Sequence, residues 1–569
     1  MIFRGKPIYY IDLMKAFAER KRSLYMPHIH ISERTSLLTL LKEEDRKKYY
    51  CANVNGKIRS LSYIIEKEGD YDITFLDFTS QETTRMYSAS MRYLISLATK
   101  IVAPQISLRF YYNISRAIFC KVVSPKNYSL DPELVDKIKA KMLELISQDI
   151  PFEKIKVSKE KALEIYKRLG FKDKIRVLKY RSEDFVHLYE AKCPEIDYFD
   201  YLYSPLVPSS GYLKEFMMNY YAPGFVCMVP RSELGGKIPQ FVDESKFASA
   251  LQRSSHWEEI NHLDTVSDIN HFIKQYSAMA LINLSETRVN NMLAELGNDI
   301  LGNVTPVRLV LVAGPSSSGK TSFANRLLYE LMSKGLRPIR ISMDDYFVPR
   351  KEMKPGVSLE SIDAVDIALF NRQMDELIRG KSVALPTYDF KTHERSFSKK
   401  ISLGQNEPII IEGIHALNSQ TCSNIPNTQK YRIYIAPQPQ VNIDDHTPIS
   451  MTDMRLLRRI ARDARTRNTD ALKTIDMWPS VRYGEFHYIY STQENADYVF
   501  DSFLPYELSA IRDIVLPQLL KIKPEQKEYP MAHRLVNMVR YCVPIPTDDI
   551  PCNSLMREFV GGSSFKDAR

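Results

Sequence analysis

A chain of 569 residues is too long for a single hydrophobic core, and two to four domains are expected. Its 44% hydrophobic and 26% charged residues suit an ordinary soluble globular protein, and no apolar run approaches the roughly 18 residues of a membrane span. The net charge of +9 is mild for this size and permits nucleotide or nucleic-acid binding without requiring either. Seven cysteines stand singly with no C-x-x-C pair, which argues against a zinc site or a disulfide framework and for a reduced cytoplasmic setting. The opening M-I-F-R-G-K-P-I-Y-Y-I-D has no uninterrupted apolar core and no cleavage site, so no export is expected.

Residues 1–75 read as a small α+β unit. From Cys51 to Ile65, apolar and polar residues alternate on both sides of Asn55-Gly56, the signature of a two-residue hairpin turn, and I-T-F-L at Ile73 to Leu76 adds another strand. Residues 76–231 change pattern. Leu134, Val135, Ile138, Met142, Leu145 and Ile146 share a helical face, and Ser158 opens a second helix that Gly170 closes.

V-N-G-K-I-R-S-L-S-Y-I-I, then D-I-T-F-L-D-F-T-S-Q-E-T, and later S-P-L-V-P-S-S-G-Y-L-K-E-F from Ser204 to Phe216, resemble threonyl-tRNA synthetases. The resemblance is to their ubiquitin-like TGS domain and the editing-type domain that follows. It implies two histidines four apart on a helix, and later a cysteine and a histidine; these positions hold Ala89, Tyr93, Leu202 and Leu206. Neither alanine nor leucine can hold a metal ion or its water, so a structural or binding remnant is expected. Residues 232–300 read as a helical linker, with Met279, Leu281, Ile282 and Leu284 at helical spacing.

V-R-L-V-L-V-A-G-P-S-S-S-G-K-T follows, from Val307 to Thr321. An apolar strand leads into G-x-x-x-x-G-K-T, and Phe323, Ala324, Leu327, Leu328, Leu331 and Met332 continue as a helix closed by Gly335. Strand, glycine loop and helix together predict a nucleoside triphosphate site. The expected cradle runs through Gly314, Pro315, Ser316, Ser317, Ser318, Gly319, Lys320, Thr321 and Ser322. Backbone N–H groups of such a loop surround phosphate oxygens, and the helix N-terminus adds partial positive charge. Lys320 would reach the β- and γ-phosphates of ATP, and the Thr321 hydroxyl would ligate Mg²⁺. A Gly/Ser-rich turn that merely precedes a helix is the bland alternative.

Pro338 introduces a second strand, I-R-I-S-M, which ends in Asp344-Asp345-Tyr346. A carboxylate at that end of a parallel strand lies beside the phosphates, so Asp344 is expected to be the general base and to help hold Mg²⁺. An Asx-type loop cap is the alternative. S-I-D-A-V-D-I-A-L-F, L-P-T-Y-D-F-K-T-H-E-R-S and P-I-I-I-E-G-I-H-A-L, the last read as a strand from Pro408 to Leu417, come next in order.

The series closely resembles the uridine kinase and phosphoribulokinase family, uridine–cytidine kinases in particular, over residues 300–525. That resemblance implies ATP-dependent phosphorylation of a nucleoside 5′-hydroxyl. It implies that Asp344 is catalytic, that Asp363 binds the ribose hydroxyls, that Tyr388 and His393 read the base, and that Glu412 closes the Mg²⁺ shell. M-R-L-L-R-R-I-A-R-D-A-R-T-R-N-T resembles the family's arginine-rich lid helix. Arg459 and Arg462 share a face with Arg467 beyond, placed to neutralise charge on the transferring phosphate. Arg459 is expected at the acceptor as well, and Arg467 at ATP. A solvated basic helix or an RNA-facing patch has the same periodicity. S-V-R-Y-G-E-F-H-Y-I-Y, A-D-Y-V-F-D-S and the tail I-P-C-N-S-L-M-R-E-F-V-G-G-S-S-F look like a subgroup of bacterial nucleoside kinases fused to the synthetase-like region; G-G-S-S is expected to turn tightly.

The expected architecture is an α/β P-loop kinase over 301–525, a parallel sheet flanked by helices, preceded by two α+β domains and followed by a tail, 526–569, packed on it. The expected cofactors are ATP and Mg²⁺, and the expected partner is a nucleoside rather than a membrane. An RNA or small-molecule effector at the N-terminal region and an oligomeric state stay open. The alternatives are a kinase for another small alcohol, such as another nucleoside or a sugar phosphate, and an RNA-binding regulator that uses the P-loop as a nucleotide sensor.

Overall fold

The computed structural model describes residues 24–566, apart from 126, 127, 129, 304, 305, 355, 359, 390, 391, 405 and 406; the opening stretch read for export lies outside them. The N-terminal sheet is antiparallel: β1 (Leu24–Ile31), β2 (Cys51–Val54), β3 (Lys57–Ser60) and β4 (Gly69–Leu76) lie in the order β1-β4-β2-β3. Asn55 and Gly56 take φ of 47° and 78°, the left-handed pair that the two-residue turn demands. Ile31, Leu37, Val54, Leu61, Ile73 and Phe75 fill the unit's small core.

The next unit is built around α1 (Gln81–Val102), capped by Ser80. From Thr83 to Lys100 only Arg85 escapes full burial. Three of its buried hydroxyls are satisfied within the helix, Ser88, Ser90 and Thr99 each donating to the carbonyl one turn back at 2.7–2.8 Å. β5 (Ser107–Ile114), β6 (Ala117–Ser124), α2 (Pro132–Ser147), β7 (Phe152–Ser158), α3 (Lys159–Leu169) and α4 (Lys172–Leu178) follow. Then come β8 (Phe185–Ala191), β9 (Tyr198–Asp200), β10 (Met217–Tyr221) and β11 (Gly224–Met228). They form two antiparallel sheets, β10-β11-β6-β5 and β9-β8-β7. Ser158 caps α3 and Gly170 closes it at φ 75°, as the spacing predicts. Ala89, Tyr93, Leu202 and Leu206 all lie in this unit's apolar core.

The C-terminal half carries a five-stranded parallel sheet. Three helices precede it: α5 (Ser245–Ile260), α6 (Val266–Tyr276) and α7 (Ala278–Leu301). They are packed against the sheet body, Leu281, Ile282, Val289 and Leu296 sharing one core with Val310, Val312 and Phe323. β12 (Leu309–Ala313), α8 (Lys320–Ser333), β13 (Ile339–Ser342), α9 (Ile367–Ile378), β14 (Val383–Asp389) and β15 (Glu394–Ile401) come next. They are followed by β16 (Ile409–Glu412), β17 (Lys430–Ala436), α10 (Met451–Thr466), α11 (Ala471–Gly484), β18 (Tyr498–Asp501), α12 (Glu507–Leu519), α13 (Tyr529–Val539) and α14 (Arg557–Val560). The sheet order is β13-β16-β12-β17-β18, every pair parallel. β12 and β16 are buried at every residue, which explains their unbroken apolar runs. β14 and β15 pair as an antiparallel arm of their own. Among the described residues no helix is long and apolar enough to cross a membrane.

Candidate functional site

The loop between β12 and α8 is shaped by close approach. A Cβ on Gly314 would collide with the carbonyl oxygen of Ile435 on the neighbouring strand, and Gly319 sits at φ 89° as the helix begins. The apolar face of α8, through Phe323, Ala324, Leu327 and Leu331, is completely buried. Each of the larger side chains contributes up to about 1.5–3 kcal/mol and fixes the helix start against the sheet. Lys320 donates to the carbonyls of Gly314 at 3.0 Å and Pro315 at 3.2 Å, so its charge lies inside the loop.

Two arginines of α10 hold this loop from behind. Arg455 and Arg458 are fully buried. Arg455 donates to the Ser316 carbonyl at 3.2 Å, and Arg458 to those of Ser317 at 3.4 Å and Ser318 at 3.3 Å. Each guanidinium is balanced by a buried acid, Glu485 for Arg455 and Glu507 for Arg458, the latter pair at 2.7 Å. With these carbonyls drawn toward the arginines, the loop is held in one conformation from its carbonyl side. Ser317 and Ser318 also keep buried hydroxyls without a protein partner. Ser322 is engaged elsewhere: its N–H and hydroxyl donate to Glu558 of α14 at 3.3 and 3.1 Å.

The next turn of α10 gathers the arginines expected in the lid. Arg459 donates to the Ser316 hydroxyl at 3.0 Å. Arg459, Arg462 and Arg467 lie 3.3, 3.3 and 3.5 Å from the buried carboxylate of Asp463, and Arg467 is the most exposed of them. Three cations around one anion leave an excess of positive charge beside the phosphate loop, which suits a polyphosphate. Burial lowers the pKa of Arg459, and Asp463 acts against that.

Asp344 lies in the short turn after β13, its backbone N–H held by Ser342 Oγ at 3.3 Å. The residue is exposed to solvent, and desolvation by its neighbours pushes its pKa up while Lys320 pulls it down. Glu412, at the end of β16, is buried and pushed up to about 7, first by burial and then by Asp344, against Lys320 and Arg340. Two carboxylates that repel one another beside a lysine fit a divalent cation, whose charge would relieve both. Among the described residues no cluster of three or more acidic, histidine or cysteine ligands exists, so further oxygens would have to come from Thr321 and from the nucleotide itself.

The residues expected at the acceptor lie on neighbouring segments. Asp345 accepts the N–H of Tyr388 at 3.2 Å, tying β14 to the turn that carries Asp344. Tyr388 is buried, 5.7 Å from the Phe347 ring and 6.5 Å from His393, whose ring lies 3.4 Å from Arg350. Asp363 sits exposed on a turn capped by Ser361, whose hydroxyl donates to the carboxylate at 3.2 Å.

Sequence reasoning passed over several residues here. Arg455 and Arg458 shared the helical spacing of Arg459 and Arg462. Gly484 admits close approach: a Cβ there would strike the Cβ of Glu360, which leads into the Asp363 turn. His415, three residues beyond Glu412, is buried, and burial lowers its pKa to about 4 against the backbone of Glu360 and Ser361, which acts to raise it. The strand expected through Leu417 stops at Glu412, where Gly413 packs against the Met343 side chain.

Residues 309–508 match the Phosphoribulokinase / Uridine kinase family. A uridine kinase of Macrococcus caseolyticus is 30% identical over 196 residues, 34% of this chain and 86% of that protein. A uridine kinase of Ureaplasma parvum is 28% identical over 176 residues, 30% of this chain and 76% of that protein. A threonine–tRNA ligase of Carboxydothermus hydrogenoformans is 28% identical over 174 residues, 30% of this chain and 26% of the ligase. The parallel sheet, the phosphate loop held between β12 and α8, and these relatives agree: through its C-terminal half, the chain belongs to the phosphoribulokinase / uridine kinase family of P-loop kinases.

Proposed function

We propose that the protein transfers the γ-phosphate of ATP, with Mg²⁺, to the 5′-hydroxyl of a nucleoside of the uridine or cytidine type. The observation that carries this reading is the electrostatic coupling of Lys320, Asp344 and Glu412 beside the P-loop, with Tyr388 tied by its N–H to Asp345, the neighbour of Asp344, and its ring 6.5 Å from that of His393. Asp344 takes the acceptor's proton as the oxygen attacks phosphorus. Thr321, Asp344 and Glu412 would hold the ion, which when bound would supply charge neutralisation at the phosphate oxygens. Lys320 and the cluster of Arg459, Arg462 and Arg467 stabilise charge on the transferring group. Asp363 accepts hydrogen bonds from a vicinal diol, and Tyr388 offers an aromatic wall to a base.

We further read residues 76–231 as a synthetase-like module without hydrolytic chemistry; the ligase relative and the apolar burial of Ala89, Tyr93, Leu202 and Leu206 support this. The deciding experiment is a panel of nucleosides, sugar phosphates and other small alcohols with labelled ATP and Mg²⁺, scored for the phosphorylated product. Pyrimidine nucleosides should lead the panel. Preferred turnover of an acceptor without a base would remove Tyr388 and His393 from substrate recognition. ATP binding with no acceptor phosphorylated would favour the nucleotide-sensor alternative.

A further inference from the structure

The segment that leads into the arginine helix is embedded in the N-terminal half of the molecule. Residues 442–448 form a small hairpin, Asn442–Asp444 paired with Thr447–Pro448, and all but Asp445 are buried. Lys174 of α4 reaches Asp444 at 3.2 Å and Asp200 at 2.8 Å, all three side chains within 2% of complete burial. Asp445 takes a hydrogen bond from Arg109 at 2.6 Å, and its own N–H donates to Asp173 at 2.8 Å. Asn442 donates to the Phe110 carbonyl at 2.8 Å. At the tip, His446 meets Asp200 at 2.6 Å through Nδ1 and Ser96 at 3.3 Å through Nε2, and its carbonyl accepts from Arg92 at 3.0 Å.

Ser96, His446 and Asp200 are thus connected as in an acyl-transfer triad. Here that chemistry has no entrance. Ser96 is 3% exposed, His446 3% and Asp200 0%, and the rings of Phe110 and Phe171 close on the imidazole edge-to-face at 5.6 and 5.2 Å. What remains is a dense, paired and desolvated set of charges, whose value lies in specifying one docking geometry.

That geometry bears on the phosphate loop. Ser450, two residues beyond the hairpin, caps α10, and Asp453 in the first turn is gripped by Arg534 at 3.0 Å, with Arg85 of α1 3.9 Å away. One turn later come Arg455, Arg458 and Arg459, which hold the loop at Ser316, Ser317 and Ser318. We propose that the 442–448 hairpin is a lock by which the N-terminal module sets the arginine helix, and through it the phosphate loop, with His446 and Asp444 as positioning residues. The module is then a working part of the nucleotide site rather than a passenger. This rests on the reading of that loop as an ATP site.

The test is Mg·ATP titration and steady-state kinetics on the full chain carrying His446→Leu, His446→Asn or Asn442→Ala. His446→Leu should weaken ATP binding at least about tenfold, with the acceptor KM changed less than about twofold. His446→Asn, whose amide can still donate to Asp200, should recover most of that loss. Asn442→Ala, which removes a single hydrogen bond, should show an intermediate loss of about threefold and serves if the leucine variant does not fold. Unchanged ATP affinity in these variants overturns the lock. So does a loss of kcat in proportion to folded protein with both KM values unchanged, since that is plain destabilisation. Labelling of Ser96 by a fluorophosphonate would show an open hydrolytic site and overturn it too. A wild-type chain that fails to bind Mg·ATP would instead sink the reading beneath it.

Discussion

Replacing Arg458 by methionine isolates the support behind the phosphate loop. The side chain is fully buried, paired with a fully buried Glu507, and bonded to three backbone carbonyls, those of Ser317, Ser318 and Ser502. Methionine fills similar space but strands the Glu507 carboxylate in a site without water. Breaking a buried pair in this way costs about 3–5 kcal/mol, against a total stability of about 5–15 kcal/mol for a domain. The paired replacement Arg458→Met with Glu507→Leu removes the stranded charge and should regain most of the loss. It takes the guanidinium donor from the carbonyls of Ser317 and Ser318, leaving the latter only the Ser502 hydroxyl at 2.7 Å, so ATP affinity should stay low while stability returns. Urea unfolding followed by Trp478 fluorescence, in a Trp257→Phe background, reports on this region because Trp478 lies buried under Arg455. A single variant that costs less than about 1 kcal/mol, or a double variant no more stable than the single, would refute the argument.

Three further outcomes follow from the same geometry. Asp344→Asn should lower kcat about a hundredfold to ten-thousandfold while ATP still binds, and wild-type-like turnover would remove Asp344 from the base role. His415 is held neutral with its pKa at about 4, below the unfolded value of about 6.5, so the unfolded chain binds the extra proton between these values and stability falls as pH drops through that window. His415→Gln should flatten the stability–pH curve there by up to about 3 kcal/mol, and an unchanged slope would assign the acid sensitivity elsewhere. Gly484→Ala forces a methyl against Glu360 and should raise the acceptor KM more than the ATP KM, because the displaced segment carries Asp363; equal changes in both would contradict that separation.

The parts of this fold that announce themselves in the sequence are those decided within one turn of chain. Asn55-Gly56 needed positive φ, Ser158 and Gly170 supplied a cap and a stop, and the apolar run before Gly314 could only be a buried strand. Arg455 and Arg458 were in plain view and misleading, since a basic stripe on a helix ordinarily faces water. Their burial depends on Glu485 and Glu507, 30 and 49 residues away, which no local pattern connects to them. The hairpin at 442–448 is harder still: Asn-Ile-Asp-Asp-His reads as a polar loop, and its partners Arg92, Ser96 and Phe110 lie more than 300 residues upstream. Asp344, Glu412 and Lys320 could be singled out because each ends or begins an element whose period was readable.

The contact between Ser322 and Glu558 spans 236 residues and has a consequence for how the protein is made. At about 5–20 residues per second, Glu558 leaves the ribosome roughly 12–47 seconds after Ser322. During that interval the phosphate loop exists without α14, and for rather more than the first half of it without the arginine helix. The N-terminal module, by then long emerged, presents Asp200, Lys174 and Arg109 as a ready dock for the 442–448 hairpin. Such a dock would serve as a template in cis for the later half of the chain, and Ser322 gains its Glu558 partner only after the arginine helix has been made.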